Sequence, residues 1–352
     1  METALKILKA ATVAAQKEQI SEEWRVRLLT AASGLVTALQ KPEETLMRET
    51  FWMGRFMAMR VLQDLSVFEQ IAAKGRVTSR ELADSHMKGM VECIFDGGME
   101  TMAKIPAFLA ETGYKNPDNQ SNGPLQYRFD ARGQDLFQIL FARPNLLLAF
   151  SAFFEGDSAN RPSWVDWFPV QQRLLDDPDR PIYEHSPLYV DVAGGRGHDL
   201  LAFKRKFAQY PGKYYLFDLP HIAEDRTLNL GNRVERVGFN FFEDPVAPAS
   251  RLYFMKFILH DWSDEKCLAI LKNVTASMKR DYSHLIIEDF ILPPTGASLL
   301  PTLFDMQMIT FLAAMERTEK QWRELLSEAG LVVDGFHLPP GDGTGIIVTS
   351  LE

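Results

Sequence analysis

Apolar and polar positions change rhythm once along this chain. Over roughly the first 150 residues the apolar positions recur at helical spacing. Leu5, Leu8 and Val13 mark one amphipathic segment. Leu28, Leu29, Ala32, Leu35 and Val36 form a stripe on a second, Trp24 to Leu39, which Pro42 ends. Phe51 to Ile71 is too rich in Phe, Met, Val and Leu for a solvent-facing helix. Thr78-Ser79-Arg80-Glu81 has the form of a capping box, and a short capped helix after Gly75 suggests a winged-helix subdomain. Asn116 to Pro124 predicts a loop, and Leu136 to Phe154 another strongly apolar helix that Gly156 to Pro162 breaks. Trp164, Trp167 and Phe168 cluster just beyond.

From there strand and helix alternate. Leu188 to Val192 is apolar and β-prone, Gly194, Gly195 and Gly197 crowd the next turn, and Leu200, Leu201, Phe203 and Phe207 return at helical spacing. Further strands are expected at 214–217, 234–240, 252–259 and 284–290, and helices at 301–312 and 319–329. Two last strands, 332–337 and 345–351, read as a hairpin with one antiparallel edge strand. The predicted fold class is therefore α/β. A helical domain over 1–150 precedes a domain over 151–352 built on a seven-stranded, mostly parallel, Rossmann-like sheet.

Composition narrows the function. The 352 residues carry a net charge of −9, and acidic and basic side chains balance over the first 150. That argues against nucleic acid, even with a winged-helix pattern. The apolar excess of the helical half suits a homodimer interface instead. Cys93 and Cys267 lie far apart without metal-ligand spacing, so a reduced, cytoplasmic protein with no metal is expected. No apolar run reaches the roughly 18 residues of a membrane span, and no signal-peptide core opens the chain.

The glycine turn carries the chemistry. A dinucleotide fingerprint would place a third glycine where Leu200 stands. Asp191, near the strand end, would repel a pyrophosphate but suits an ammonium or ribose hydroxyls. That favours S-adenosylmethionine over a nicotinamide cofactor, with Gly194 and Gly195 letting it approach. Asp218, at the end of the second strand, is where a ribose would be held. Asn240 and Phe241, after the third, offer an amide and a ring to an adenine. The fourth strand delivers His260 and the fifth Asp289, both where ligands sit in such sheets. Histidine can take a proton near neutral pH, and an adjacent carboxylate would hold its ring.

These segments also occur in a familiar order. Val190-Asp191-Val192-Ala193-Gly194-Gly195-Arg196-Gly197-His198, Phe217-Asp218-Leu219-Pro220, Ile258-Leu259-His260-Asp261-Trp262, Ile291-Leu292-Pro293 and Glu316-Arg317-Thr318-Glu319 resemble the plant and fungal O-methyltransferase family. Asn122-Gly123-Pro124 and Arg161-Pro162-Ser163-Trp164 resemble its fungal branch. The resemblance implies a class I methyltransferase domain behind a winged-helix dimerisation domain, acting on a hydroxyl of a small aromatic or polyketide-type metabolite. It makes His260 the general base, flanked by Asp289 and Glu316. It makes Asp218 the ribose ligand and Lys256 an adenine-side contact, and sets Asn240-Phe241 where many members have Asp-Met. Phe154, Trp164, Met308 and Phe311 are the expected substrate-binding residues. Some fungal relatives keep the cofactor yet steer pericyclic reactions, and a pericyclase is the alternative reading. A non-enzymatic scaffold that kept the fold is the third.

Overall fold

The computed structural model describes residues 2–17, 20–42, 91–159, 162–339 and 343–352, with isolated positions between 45 and 62. Most of the expected helix over 51–71, and all of the capping box at 78–81, lie outside the described residues. The chain forms two compact units, Met1–Arg55 with Pro339–Asp342, and Phe56–Leu338 with Gly343–Glu352. Residue 150, where the composition shifts, falls inside the second unit.

The first unit contains α1 (Glu2–Lys17) and α2 (Glu22–Leu39). Ser21 caps α2 by accepting the Trp24 N–H at 3.4 Å. Their apolar positions stay exposed, Trp24 at 55%, Leu29 at 53% and Leu39 at 66%.

The second unit is built on a seven-stranded sheet of order β3-β2-β1-β4-β5-β9-β8. The strands are β1 (Pro187–Val192), β2 (Lys213–Asp218), β3 (Val234–Gly238), β4 (Leu252–Lys256), β5 (His284–Asp289), β8 (Leu331–His337) and β9 (Gly345–Leu351). Strands β1 to β5 pair in parallel. Strand β9 runs antiparallel between β5 and β8. The antiparallel strand is therefore interior, not the edge strand expected from sequence. The reason is burial. Ile346, Ile347 and Val348 of β9 are buried, whereas Val332 on β8 is 46% exposed and belongs at an edge. A separate two-stranded parallel sheet joins β6 (Ile291–Leu292) to β7 (Arg317–Thr318).

Alternation along the strands builds two cores. Tyr253, Met255, Leu285 and Ile287 face one side. There they meet Ile270, Leu271 and Val274, with Trp322, Leu325 and Leu326. Leu252, Phe254 and Ile286 face the other side, against Trp164, Leu200 and Phe203.

After α3 (Ile105–Glu111), the helices α4 (Pro124–Phe129), α5 (Leu136–Phe141) and α6 (Pro144–Ala159) share a third core. Leu125, Ile139, Leu140 and Leu146 pack on Met308, Phe311 and Leu312. The single helix expected over 136–154 is split at Pro144, whose missing N–H suits a helix start. Helix α6 then runs past Gly156. The described set continues with α7 (Trp164–Trp167), α8 (His198–Lys206), α9 (Asp264–Ser277), α10 (Leu299–Gln307) and α11 (Glu319–Glu328). Short π-helical stretches, Cys93–Met99 and Met308–Leu312, interrupt the helical layer.

Candidate active site

Strand β1 ends in a turn whose backbone alternates between hands. Ala193, Gly195 and Gly197 have φ of +57°, +58° and +90°. Gly194 has no room for a side chain, because a Cβ there would lie 2.3 Å from Asp191 Cγ. A Cβ on Gly195 would meet nothing within 4 Å, so its backbone is open to a ligand. The Gly195 N–H donates to Asp218 Oδ2 at 2.7 Å and the Leu219 N–H to Oδ1 at 2.7 Å. The turn and the end of β2 are thus tied through one carboxylate. Each oxygen keeps a lone pair for a further donor.

Asp191 is buried and accepts the Leu200 N–H at the start of α8. Among the described residues its Oδ2 has no partner. Burial, then the Asp199 carboxylate, push its pKa well above the usual range. Beside it, Lys256 Nζ lies 3.2 Å from Asp199 and 3.6 Å from Glu288. Burial lowers the Lys256 pKa, but Glu288 and Asp199 more than offset that and leave it raised. The sequence places Glu288 beside Asp289 at the end of the fifth strand but gives it no role. The signal for it is register: β4 and β5 place Lys256 directly beside Glu288, a cross-strand charge pair.

Asn240 closes a turn after β3, its Oδ1 accepting the Phe242 N–H at 3.1 Å. Phe241 packs edge-on against Phe242 and Trp262, with centroids 4.8 and 5.7 Å away.

Strand β4 stops at Lys256 because Phe257 turns left-handed, with φ +54°. For an aromatic residue that costs roughly 1–2 kcal/mol and marks a constrained site. The Phe257 ring lies 5.2 Å from the His260 ring at 26°. Leu259–Asp261 form one 3-10 turn that buries His260 almost completely, at 1% exposure.

Three acids surround this imidazole. Nδ1 lies 2.9 Å from Glu316 Oε1 and 3.3 Å from Asp289 Oδ1, and Nε2 lies 3.3 Å from Asp261 Oδ1. Two of them arrive through the small sheet. Asp289 ends β5 two residues before β6, Glu316 immediately precedes β7, and Ile291 pairs with Arg317. Burial lowers the His260 pKa, but Asp289, Glu316 and Asp261 outweigh it and raise it to about 10. Burial also raises Asp261, to about 6, and Asp289.

His260 lines a narrow apolar pocket with Cys93, Phe150, Phe304, Gln307, Met308 and Phe311. Both π-helical stretches contribute to this wall. Gln307 Oε1 is buried without a partner among the described residues. Met308 and Phe311, expected from sequence as substrate contacts, line this pocket. Trp164 does not. It is fully buried in the core beside the sheet, stacked 5.0 Å from Phe254. An aromatic cluster next to a sheet looks the same in sequence whether it covers strands or lines a site. The side chain of Phe154 lies outside the described residues.

Residues 169–332 match the family model of the O-methyltransferase domain. The O-methyltransferase penC of Penicillium thymicola is 32% identical over 327 residues, 90% of this chain and 77% of that protein. The chain belongs to the O-methyltransferase family. A second relative, the O-methyltransferase mfmE of Annulohypoxylon moriforme, is 34% identical over 259 residues, 74% of this chain. The chain covers only 63% of mfmE. In fold it is similar to LepI in complex with SAM, with TM-score 0.86, 24% identity and coverage of 100% and 99% of the two chains. A pericyclic reaction enzyme matches equally, with TM-score 0.86, 24% identity and full coverage of both chains.

Proposed function

We propose that this protein transfers the methyl group of S-adenosylmethionine to a hydroxyl of a small aromatic or polyketide-type metabolite. One observation carries the reading: a buried histidine, braced by Glu316 and Asp289, in the wall of an apolar pocket at the carboxyl ends of the strands. The residues fit the cofactor. Asp191 Oδ2 lacks a partner and suits an ammonium, Gly195 leaves its backbone open, and Asp218 keeps acceptor capacity for ribose hydroxyls. Asn240, Phe241 and Lys256 complete the proposed cofactor set. S-adenosylmethionine supplies an electrophilic methyl on a sulfonium.

The chain's own residues hold and move a proton. Phe304, Met308 and Phe311 seat the apolar face of the acceptor, and Gln307 reads a second polar group on it. Held there, the cofactor would give its methyl to the acceptor oxygen and leave as S-adenosylhomocysteine. The hydroxyl proton passes to His260. Glu316 and Asp289 hold the resulting imidazolium through Nδ1. A phenol has a pKa of about 10 and an ordinary histidine about 6.5, so proton transfer between them is uphill. At about 10, His260 is matched to a phenol.

The same matching supports a second reading. An imidazole with that proton affinity rests protonated at neutral pH, as a donor that could steer a pericyclic step without methyl transfer. Purified protein with S-adenosylmethionine and a panel of phenols and naphthols, read by mass, tests both. Methylated product with S-adenosylhomocysteine is expected, and His260→Gln should cut its rate by roughly 10²–10⁴. Conversion without S-adenosylhomocysteine would sink the methyltransferase reading.

We further propose a homodimer held through the helical N-terminal half, 1–150, with 151–352 as the catalytic domain. The exposed apolar faces of α1 and α2 support it. Among the described residues no helix is long and apolar enough to cross a membrane, and both cysteines are unpaired and buried, which supports work in the cytoplasm.

A further inference from the structure

The turn that carries His260 holds itself poorly. Its own backbone bonds, Asp261 N–H to Ile258 O and Trp262 N–H to Leu259 O, are 3.2 and 3.3 Å long. Such a short 3-10 turn has poor hydrogen-bond geometry of its own. Arg317 supplies what it lacks. Its side chain is fully buried. Nη1 donates to Leu259 O at 2.8 Å and Nη2 to Trp262 O at 2.9 Å, the two carbonyls that bracket His260-Asp261. Nε and Nη2 also donate to Asp264 Oδ1 at 3.0 and 2.7 Å, and the guanidinium lies 5.3 Å over the Trp322 ring. Cys267 Sγ, 3.1 Å from Leu259 O, supports the same carbonyl. Glu316, the preceding residue, meets the ring itself.

We propose that Arg317 is the positioning residue of this site: by gripping the carbonyls on either side of His260, it sets the imidazole against Glu316 and Asp289. This rests on His260 being the residue that handles the proton. It does not require that methyl transfer be the reaction.

Charge and position make opposite demands here. Arg317 is a cation beside a cluster of acids. If it acted only through its charge, removing it would make the imidazole easier to protonate. If it acts by position, removing it lets the ring leave Glu316, Asp289 and Asp261, and the ring becomes harder to protonate.

The test is a nuclear magnetic resonance titration of the full chain labelled in its histidine rings, with the His260 signal identified by its loss in His260→Gln. No acceptor is added, so the result is independent of turnover. The wild-type midpoint should lie far above 6.5, near about 10. In Arg317→Met it should fall by more than one unit toward the ordinary value, and Arg317→Lys should fall less. A midpoint that rises or stays put in folded Arg317→Met overturns the proposal, as does a wild-type midpoint already near 6.5. If Arg317→Met does not fold, Asp264→Asn serves, because it removes the carboxylate that holds Nε and Nη2 at a side chain 58% exposed. There too the midpoint should drop, and an unchanged midpoint overturns the proposal.

Discussion

His260 carries two opposing pressures on its proton. Burial would strip it off, and three carboxylates hold it on. The balance sets the pH dependence. If the ring works as a base, the reactive complex has shed one proton from the pair His260 and hydroxyl, so the methylation rate should climb from pH 7 and level off toward about 10. A ring that works as a donor gives the reverse, a rate that falls over that range. Stability follows the same group. Its folded pKa of about 10 lies above the ordinary 6.5, so its contribution is complete below about pH 6.5 and disappears as pH rises through about 10. The melting temperature of the ligand-free protein should therefore drop between pH 7 and 10, and less steeply in His260→Gln. An equal drop in both would mean that other groups set it. His260 and Asp289 were legible in the sequence because a histidine and an acid at adjacent strand ends face one crevice. Arg317 was quoted only as part of a motif. Its partners are backbone carbonyls, which no pattern of side chains announces. Phe257 was hidden for a related reason: a left-handed aromatic residue looks ordinary until its backbone is seen.

At the scale of elements, the glycine turn is packed against two carboxylates. Gly194 sits over Asp191, and Gly195 reaches Asp218. Gly194→Ala would drive a methyl into the Asp191 carboxyl group, so either the turn or the acid must move. We expect S-adenosylmethionine affinity to fall by at least about tenfold, roughly 1.4 kcal/mol, in calorimetry. Unchanged affinity would remove Asp191 from the cofactor set. Strand positions were largely legible, since apolar runs bounded by glycine and acidic turns leave few alternatives. The order of the last two was not, because a hairpin pattern does not say which strand lies inside. Nor were the π-helical stretches visible. An extra residue in a turn leaves apolar spacing almost unchanged, yet it aims Met308 and Phe311 into the pocket wall.

For the whole molecule, the exposed apolar stripes of α1 and α2 bear on assembly. Sedimentation at micromolar concentration should give twice the chain mass, and a Trp24→Glu, Leu39→Glu double variant should give the monomer. A wild-type monomer would remove the dimer proposal. The small sheet β6–β7 has a different reach. It pairs the two ends of a long excursion, 293–316, whose interior carries Phe304, Gln307, Met308, Phe311 and Leu312 of the pocket wall. Its ends fix Asp289 and Glu316. The molecule is therefore wired like a socket with a replaceable insert: substitutions along 293–316 would reshape the pocket wall while Asp289 and Glu316 stay soldered beside His260 at its base.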